Sequence, residues 1–279
     1  MTVMIYRKTL LAAVAAALAF VGVAACEQQT TSDTAAMAPP GMMTTDTDET
    51  TAWGYVIPAG TPFNIAAAVK GERPDEARAR DINRKPAETL SLAEVHEGDR
   101  IVEIASFGQY YTNMLSAAVG PEGHIYMSDL PYTAGRSEEP SRAFVAAHPN
   151  TEYQLVDYNE MVFPTELDAV HIVLYYHDLS LNSIDLAAFN QKVYDALRPG
   201  GVYFIVDHNA PAGTGREHTQ SVHRIDPQVI RDEVTAAGFT LETDSDLLRN
   251  PDDDQTTMVF APGTRGTTDQ AVLVFRKPE

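Results

Sequence analysis

Histidine, aspartate and tyrosine crowd a few short stretches of this chain, and each stretch follows an apolar run. YYHDL occupies residues 175–179, VDH 206–208, SDL 128–130 and VDYN 156–159. An apolar core does not require so many titratable groups at the ends of its segments. An imidazole with an ordinary pKa near ~6.5 can take a proton from an attacking hydroxyl or amine. His177, Asp207, His208 and Tyr176 are therefore the candidate catalytic residues. Histidine and carboxylate also suit a transition-metal ion. However, two histidines and two aspartates without a ligand-spaced helical motif make a weak metal pattern, and no metal is expected. A hydrogen-bonded rim that fixes loops is the third use open to the same residues.

The elements that would position these groups alternate in type. IVEIA, HIYMSDL, EYQLVDY, LDAVHIVLYYHDL and VYFIVDH read as five strands. Helical stretches lie between them, including QYYTNMLSAAVG closed by Gly120 and a segment ended by Pro199, Gly200 and Gly201. The fourth strand is too apolar to have a wet face and is expected at the centre of a parallel sheet. Asp226 and Pro227 open a further helix that Gly238 closes. TLETDSDLL, QTTMVFAP and QAVLVFRK are expected to complete the sheet. The pattern predicts an α/β, doubly wound domain over residues 98–279. In such sheets ligands bind at the carboxyl ends of the strands, where the residues named above fall. Residues 51–97 read as an N-terminal helical cap, with Pro74 at a helix start, Asp75 and Glu76 in its first turn and Pro86 breaking or restarting the helix.

Residues 1–25 have the build of a secretory signal: Arg7 and Lys8, then an uncharged apolar run ending in small residues at Cys26. VAAC resembles a bacterial lipoprotein cleavage box, which makes Cys26, the only cysteine, the expected lipidation site. Glu27 follows it, so the expectation is export to the periplasm and an anchor in the outer rather than the inner membrane. Residues 26–50, rich in Thr, Ala, Pro and Met, read as a disordered tether. The membrane contact expected is the lipid anchor alone.

A formal net charge of −19 argues against nucleic acid as a partner. The DDD run at 252–254 reads as a solvated loop, since its carboxylates lack the alternate spacing of a calcium loop. Cations cluster in two places: Arg80, Arg84 and Lys85 in the cap, and His223 and Arg224 before a helix. They can hold a carboxylate or phosphate, or bridge cap to body. There is no G-x-S-x-G elbow and no P-loop.

The element order, Asp129 after the second strand and the stretch ALRPGGVYFIVDH resemble a class I S-adenosylmethionine-dependent methyltransferase. RDINRKPAETL, YYHDL, HRIDPQVIRDEVTAAGF and the closing FRKP resemble a family of predicted bacterial exported methyltransferases, over roughly residues 53–279. The resemblance implies a Rossmann-like sheet, S-adenosylmethionine as cofactor and a small-molecule acceptor. It implies cofactor contacts at Glu103, Ala105, Gly108, Asp129 (ribose) and Asp157 (near adenine). Here the first turn reads ASFGQ. The family's glycine positions fall on Ala105, Phe107 and Gln109, with Gly108 between them, so side chains stand where the cofactor would approach the backbone. A binding protein of the same fold, altered in catalysis and taking another small ligand, is the alternative expectation.

Overall fold

The structure, a computed structural model, describes residues 43–279. The expected signal segment, Cys26 and most of the expected tether lie outside the described residues. Seven strands form one sheet: β1 Arg100–Ile104, β2 His124–Asp129, β3 Thr151–Leu155, β4 Leu167–Val173, β5 Leu197–His208, β6 Thr240–Ser245 and β7 Gln270–Arg276. Their spatial order is β3-β2-β1-β4-β5-β7-β6. The first five are parallel, and β7 runs antiparallel between β5 and β6. The chain winds outward from β1 to β3 and returns to β4 on the other side of β1. The topological switch point therefore lies between β1 and β4, as a doubly wound sheet requires.

Alternate strand residues feed two apolar layers. Ile101, Ala169, Val202, Phe204 and Val206 pack with the cap and the helix after β1, whereas Val102, Val170, Ile172, Tyr203 and Ile205 pack on the opposite face. The sequence LDAVHIV of β4 is buried on both faces for this reason. The helices are α1 Phe63–Lys70, α2 Asp75–Arg78, α3 Asp81–Arg84, α4 Pro86–Leu92, α5 Tyr110–Val119, α6 Ala134–Ala147, α7 Tyr176–Leu179, α8 Leu186–Ala196, α9 Thr219–Val222 and α10 Pro227–Ala236. Asp226 caps α10 by accepting from Gln228 N–H at 2.9 Å, and Gly238 ends the segment at φ 105° with its Cα side against Tyr194.

Helices α1–α4 form the cap. Pro74 precedes α2 and Pro86 opens α4, as expected. Asp81 joins this cap to the body. Its carboxylate accepts from both Arg73 Nη atoms at 3.0 and 2.6 Å, from Trp53 Nε1 at 2.8 Å and from the Tyr110 hydroxyl of α5 at 2.7 Å. The side chains of Arg73 and Asp81 are 1% and 0% exposed, so this is a charge pair fully removed from water. Lys85 Nζ adds a second tie by donating to Leu247 O at 2.7 Å.

Three local readings are corrected. Strand β4 ends at Val173, not near residue 179, because Leu174 takes a left-handed φ of 57° and residues 176–179 coil into α7. Residues 255–262 are a loop and not a strand: Asp254 accepts from the N–H groups of Thr256 and Thr257, both at 2.8 Å, which turns the chain. Residues 43–50, expected in the tether, pack on the cap. Thr45 is buried, and Glu49–Thr50 pairs antiparallel with Val56–Ile57.

Breaking a buried pair by removing one partner leaves the other charge unpaired. Asp81→Ala should therefore lose about 3–5 kcal/mol in urea unfolding. A loss below about 1 kcal/mol, the range of an exposed ion pair, would show that the cap is held by other contacts.

Candidate functional site

A cavity of about 560 Å³ opens at the switch point. Its walls are the turn after β1, the exits of β4 and β5, Arg80 and Arg84 at the two ends of α3 and a loop carrying Phe260 and Arg265. In the turn after β1, Ala105 (φ 61°), Gly108 (φ 83°) and Gln109 (φ 51°) all take left-handed backbone. Gln109 N–H closes it on Ser106 O at 2.9 Å. The turn thus adopts the conformations that glycine normally supplies, with a glycine at only one of three positions. What the sequence change removes is space, and it does so at Phe107. The Phe107 ring meets Tyr175 edge-on at 5.8 Å and lies under the Arg136 guanidinium at 4.6 Å.

The five expected cofactor residues are not brought together. Glu103, Ala105 and Gly108 line the cavity. Burial pushes the Glu103 carboxyl up to about 8 against the lowering effect of the Thr112 hydroxyl, which donates to it at 2.5 Å, and the Asp129 charge raises it further. It is a neutral acid facing a cavity, ready to ionise if a cation docks. Asp129 stands at the end of β2 but does not line the cavity. Its Oδ1 accepts from Phe107 N–H at 3.0 Å and from the Ser106 hydroxyl at 3.4 Å, so it braces the turn from beneath. Its Oδ2 is buried with no hydrogen-bond partner among the described residues, and burial raises its pKa. Asp157 is exposed and away from the cavity. Its Oδ1 accepts from Asn159 N–H at 2.9 Å, which is an Asx turn.

The histidine–aspartate rim is assembled more closely than its sequence stretches indicate. Asp207 is 1% exposed. It accepts from His177 Nδ1 at 2.6 Å, from His177 N–H at 2.7 Å and from His208 N–H at 2.7 Å. A carboxylate acceptor fixes the proton of His177 on Nδ1 and leaves Nε2 toward the cavity. Burial favours neutral His177, but the Asp207 charge outweighs it and raises the pKa; Asp207 is lowered against its own burial by the same contact. His208 lines the cavity as a neutral ring, pushed down to about 3 by burial, with Nδ1 2.7 Å from Thr268 Oγ1. Tyr176 is a correction. It is fully buried, its hydroxyl held by Asn190 at 2.8 Å and Glu233 at 2.9 Å, and it faces away from the cavity. Tyr175 takes the expected place, because the left-handed Leu174 rotates the exit of β4.

Sequence reading missed the meeting of distant segments. His223, in left-handed backbone at the end of α9, brings Nδ1 to 3.1 Å from Asp178 Oδ1. Arg136 and Arg265 join Arg80 and Arg84 in the cavity wall. None of these four forms an ion pair with a described residue, whereas most other described arginines do. Arg80 and Arg84 instead lie over Tyr110 at 4.7 and 4.5 Å. Burial and the neighbouring Arg84 lower the Arg80 pKa. Arg265 comes from an irregular loop, and no periodicity could have assigned it to the site.

The raised Glu103 pKa has a signed consequence. Unfolded Glu103 ionises near 4.5 and folded Glu103 near 8, so its contribution to stability falls as pH rises between those values and is flat above. Glu103→Gln should remove that slope. The variant should gain on the parent by up to about 1.4 kcal/mol per pH unit across this window, read from urea midpoints. Parallel curves would show that Glu103 is ionised in the fold.

No protein-family model matches the chain. A stretch of 127 residues, 44% of the chain, is 26% identical to the ubiquinone/menaquinone biosynthesis C-methyltransferase UbiE of Teredinibacter turnerae. That stretch spans 48% of the relative's length. Among solved structures, a SAM-dependent methyltransferase from Aquifex aeolicus superposes with a TM-score of 0.53 at 14% identity, over 74% of this chain and 99% of that one. The cyclase SpnF superposes with a TM-score of 0.50 at 16% identity, over 71% and 81%. At such identities the likeness concerns the fold. With the strand order and the cavity at the switch point, it gives this chain the class I S-adenosylmethionine-dependent methyltransferase fold.

Proposed function

We propose that the protein transfers a methyl group from S-adenosylmethionine to a small acceptor bound in the switch-point cavity. The observation that carries this reading is the cavity itself. It lies where this fold binds its ligand and combines a neutral buried acid with four arginines that form no ion pair with a described residue. The cofactor supplies an activated methyl group on a sulfonium. Glu103 is placed to pair with its ammonium group and Arg80 or Arg84 with its carboxylate. Phe107 and Tyr132 offer aromatic faces to a cation or a purine. Methyl transfer asks of the protein mainly alignment of donor and acceptor and a group to take the acceptor's proton. The Asp207–His177 pair fills the second role, with Nε2 of His177 as the proton acceptor. The arginine wall favours an acceptor carrying a carboxylate or phosphate.

A second reading is supported by Asp129. The acid expected to hold the ribose is sealed beneath Phe107, which fits a cleft that binds another small molecule without methyl transfer. That SpnF, a cyclase, has the same fold agrees with this reading. Calorimetric titration of the purified chain with S-adenosylmethionine and S-adenosylhomocysteine separates the two. Micromolar binding, weakened about tenfold or more in Glu103→Gln and Arg84→Ala, as loss of a charge-assisted contact of about 1.5–3 kcal/mol requires, supports methyl transfer. No heat with either ligand rejects it.

The expected route of export also belongs here. We propose that Cys26 is lipidated and tethers the domain to the outer membrane from the periplasm. The combination of Arg7 and Lys8, the apolar run and the lone cysteine supports this. Among the described residues no helix is long and apolar enough to cross a membrane. Cys26→Ser should abolish incorporation of labelled palmitate and release the protein into the soluble fraction. Unchanged labelling would reject the anchor.

A further inference from the structure

Three side chains from two segments converge on one wall of the cavity. His177 and Asp178 come from the first turn of α7, and His223 from the end of α9. His177 Nε2 lies 3.3 Å from Asp178 Oδ1, and His223 Nδ1 lies 3.1 Å from the same oxygen. One donor atom from each residue falls within 4.8 Å of the other two. Two ligands each about 2.1 Å from one ion, at angles between right and tetrahedral, stand about 3.0–3.4 Å apart. The two imidazole–carboxylate spacings match that range.

The surroundings agree with such a site. Asp207 holds Nδ1 of His177 at 2.6 Å and also accepts its backbone N–H, which aims Nε2 at Asp178. A carboxylate behind a ligating imidazole is the usual outer support of a bound metal. No lysine or arginine pairs with Asp178 or Asp207 among the described residues, so two carboxylates share only imidazoles as side-chain counterions. His177, Asp178 and His223 all line the cavity. The side chains of Asp178 and His223 are 19% and 27% exposed, which leaves an entry path.

We propose that His177, Asp178 and His223 bind one divalent first-row transition ion, with its remaining coordination positions open to the cavity. Two imidazoles and one carboxylate suit zinc or iron(II) rather than magnesium or calcium. The open positions would take an oxygen of the molecule that the arginine wall holds. With the ion in place the Nε2 lone pair of His177 is occupied, so its role changes from proton acceptor to ligand. This proposal does not rest on methyl transfer, because its test contains no cofactor.

The untagged full chain, stripped with a chelator and dialysed, is titrated with cobalt(II), whose visible d–d bands report ligand number. The expected result is one high-affinity equivalent with bands of a nitrogen- and oxygen-ligated ion. Affinity should fall at least about tenfold in His223→Ala and in Asp178→Asn, and about 10–100-fold in Asp207→Asn, the outer-support range. Thermal unfolding without metal checks that each variant folds; His223 and Asp178 are partly exposed and should tolerate the change. Absence of binding to the parent protein, or an unchanged isotherm in both His223→Ala and Asp178→Asn, overturns the site.

Discussion

The site depends on a carboxylate that never reaches it. Asp81 receives four donors from three parts of the chain, and two of its neighbours in sequence, Arg80 and Arg84, form the cationic side of the cavity. A buried charge satisfied on all sides has one low-energy arrangement, which gives it more value as a positioning device than as a source of stability. The cap needs such a device. Its helices α2 and α3 have four residues each, too short to hold a direction by themselves. The Tyr110 hydroxyl carries the restraint into α5, whose first residues also floor the cavity.

The turn after β1 separates two properties that are often treated as one. Left-handed backbone can be reached by Ala105 and Gln109 at a cost of about 1–2 kcal/mol each. Room for a ligand against that backbone cannot be recovered in this way. Phe107 fills it, and Asp129 turns from the cavity to brace Phe107 from below. The fold is kept while the chemistry of one corner is rearranged, and the cavity extends instead toward β4, β5 and the cap.

Much of the sheet was legible because its buried strands, RIVEI, LDAVHIV and VYFIVDH among them, are short apolar runs separated by stretches of helical spacing. The central place of LDAVHIV followed from its lack of a wet face. The pairing of His177 with Asp207 was within reach of the same logic, since adjacent parallel strands end side by side. Tyr176 was misread because facing after a strand depends on the first turn residue, and nothing in the letters of Leu174 announces a left-handed backbone. Residues 255–262 were β-rich in composition, but Asp254 bonds the next two peptide groups first, and local turn chemistry prevailed over propensity. Asp157 was a strand-end acid like Asp129 and Asp207; burial, which separates the three, is a property of packing. His223, Arg136 and Arg265 reach the cavity only through the tertiary fold.

The arginine wall sits inside a chain whose formal net charge is −19. Those two signs act over different distances. At physiological salt, fields from exposed charges fade over roughly 8 Å, whereas contacts inside a partly closed cleft are screened far less. An anion approaching the mouth would first be repelled and then held, so its arrival would be slow and its residence long. A ligand with net positive charge, such as S-adenosylmethionine, is drawn in by the same outer field. Two molecules sharing this cleft would thus load at different speeds, with the cation first, and added salt would narrow the gap between them.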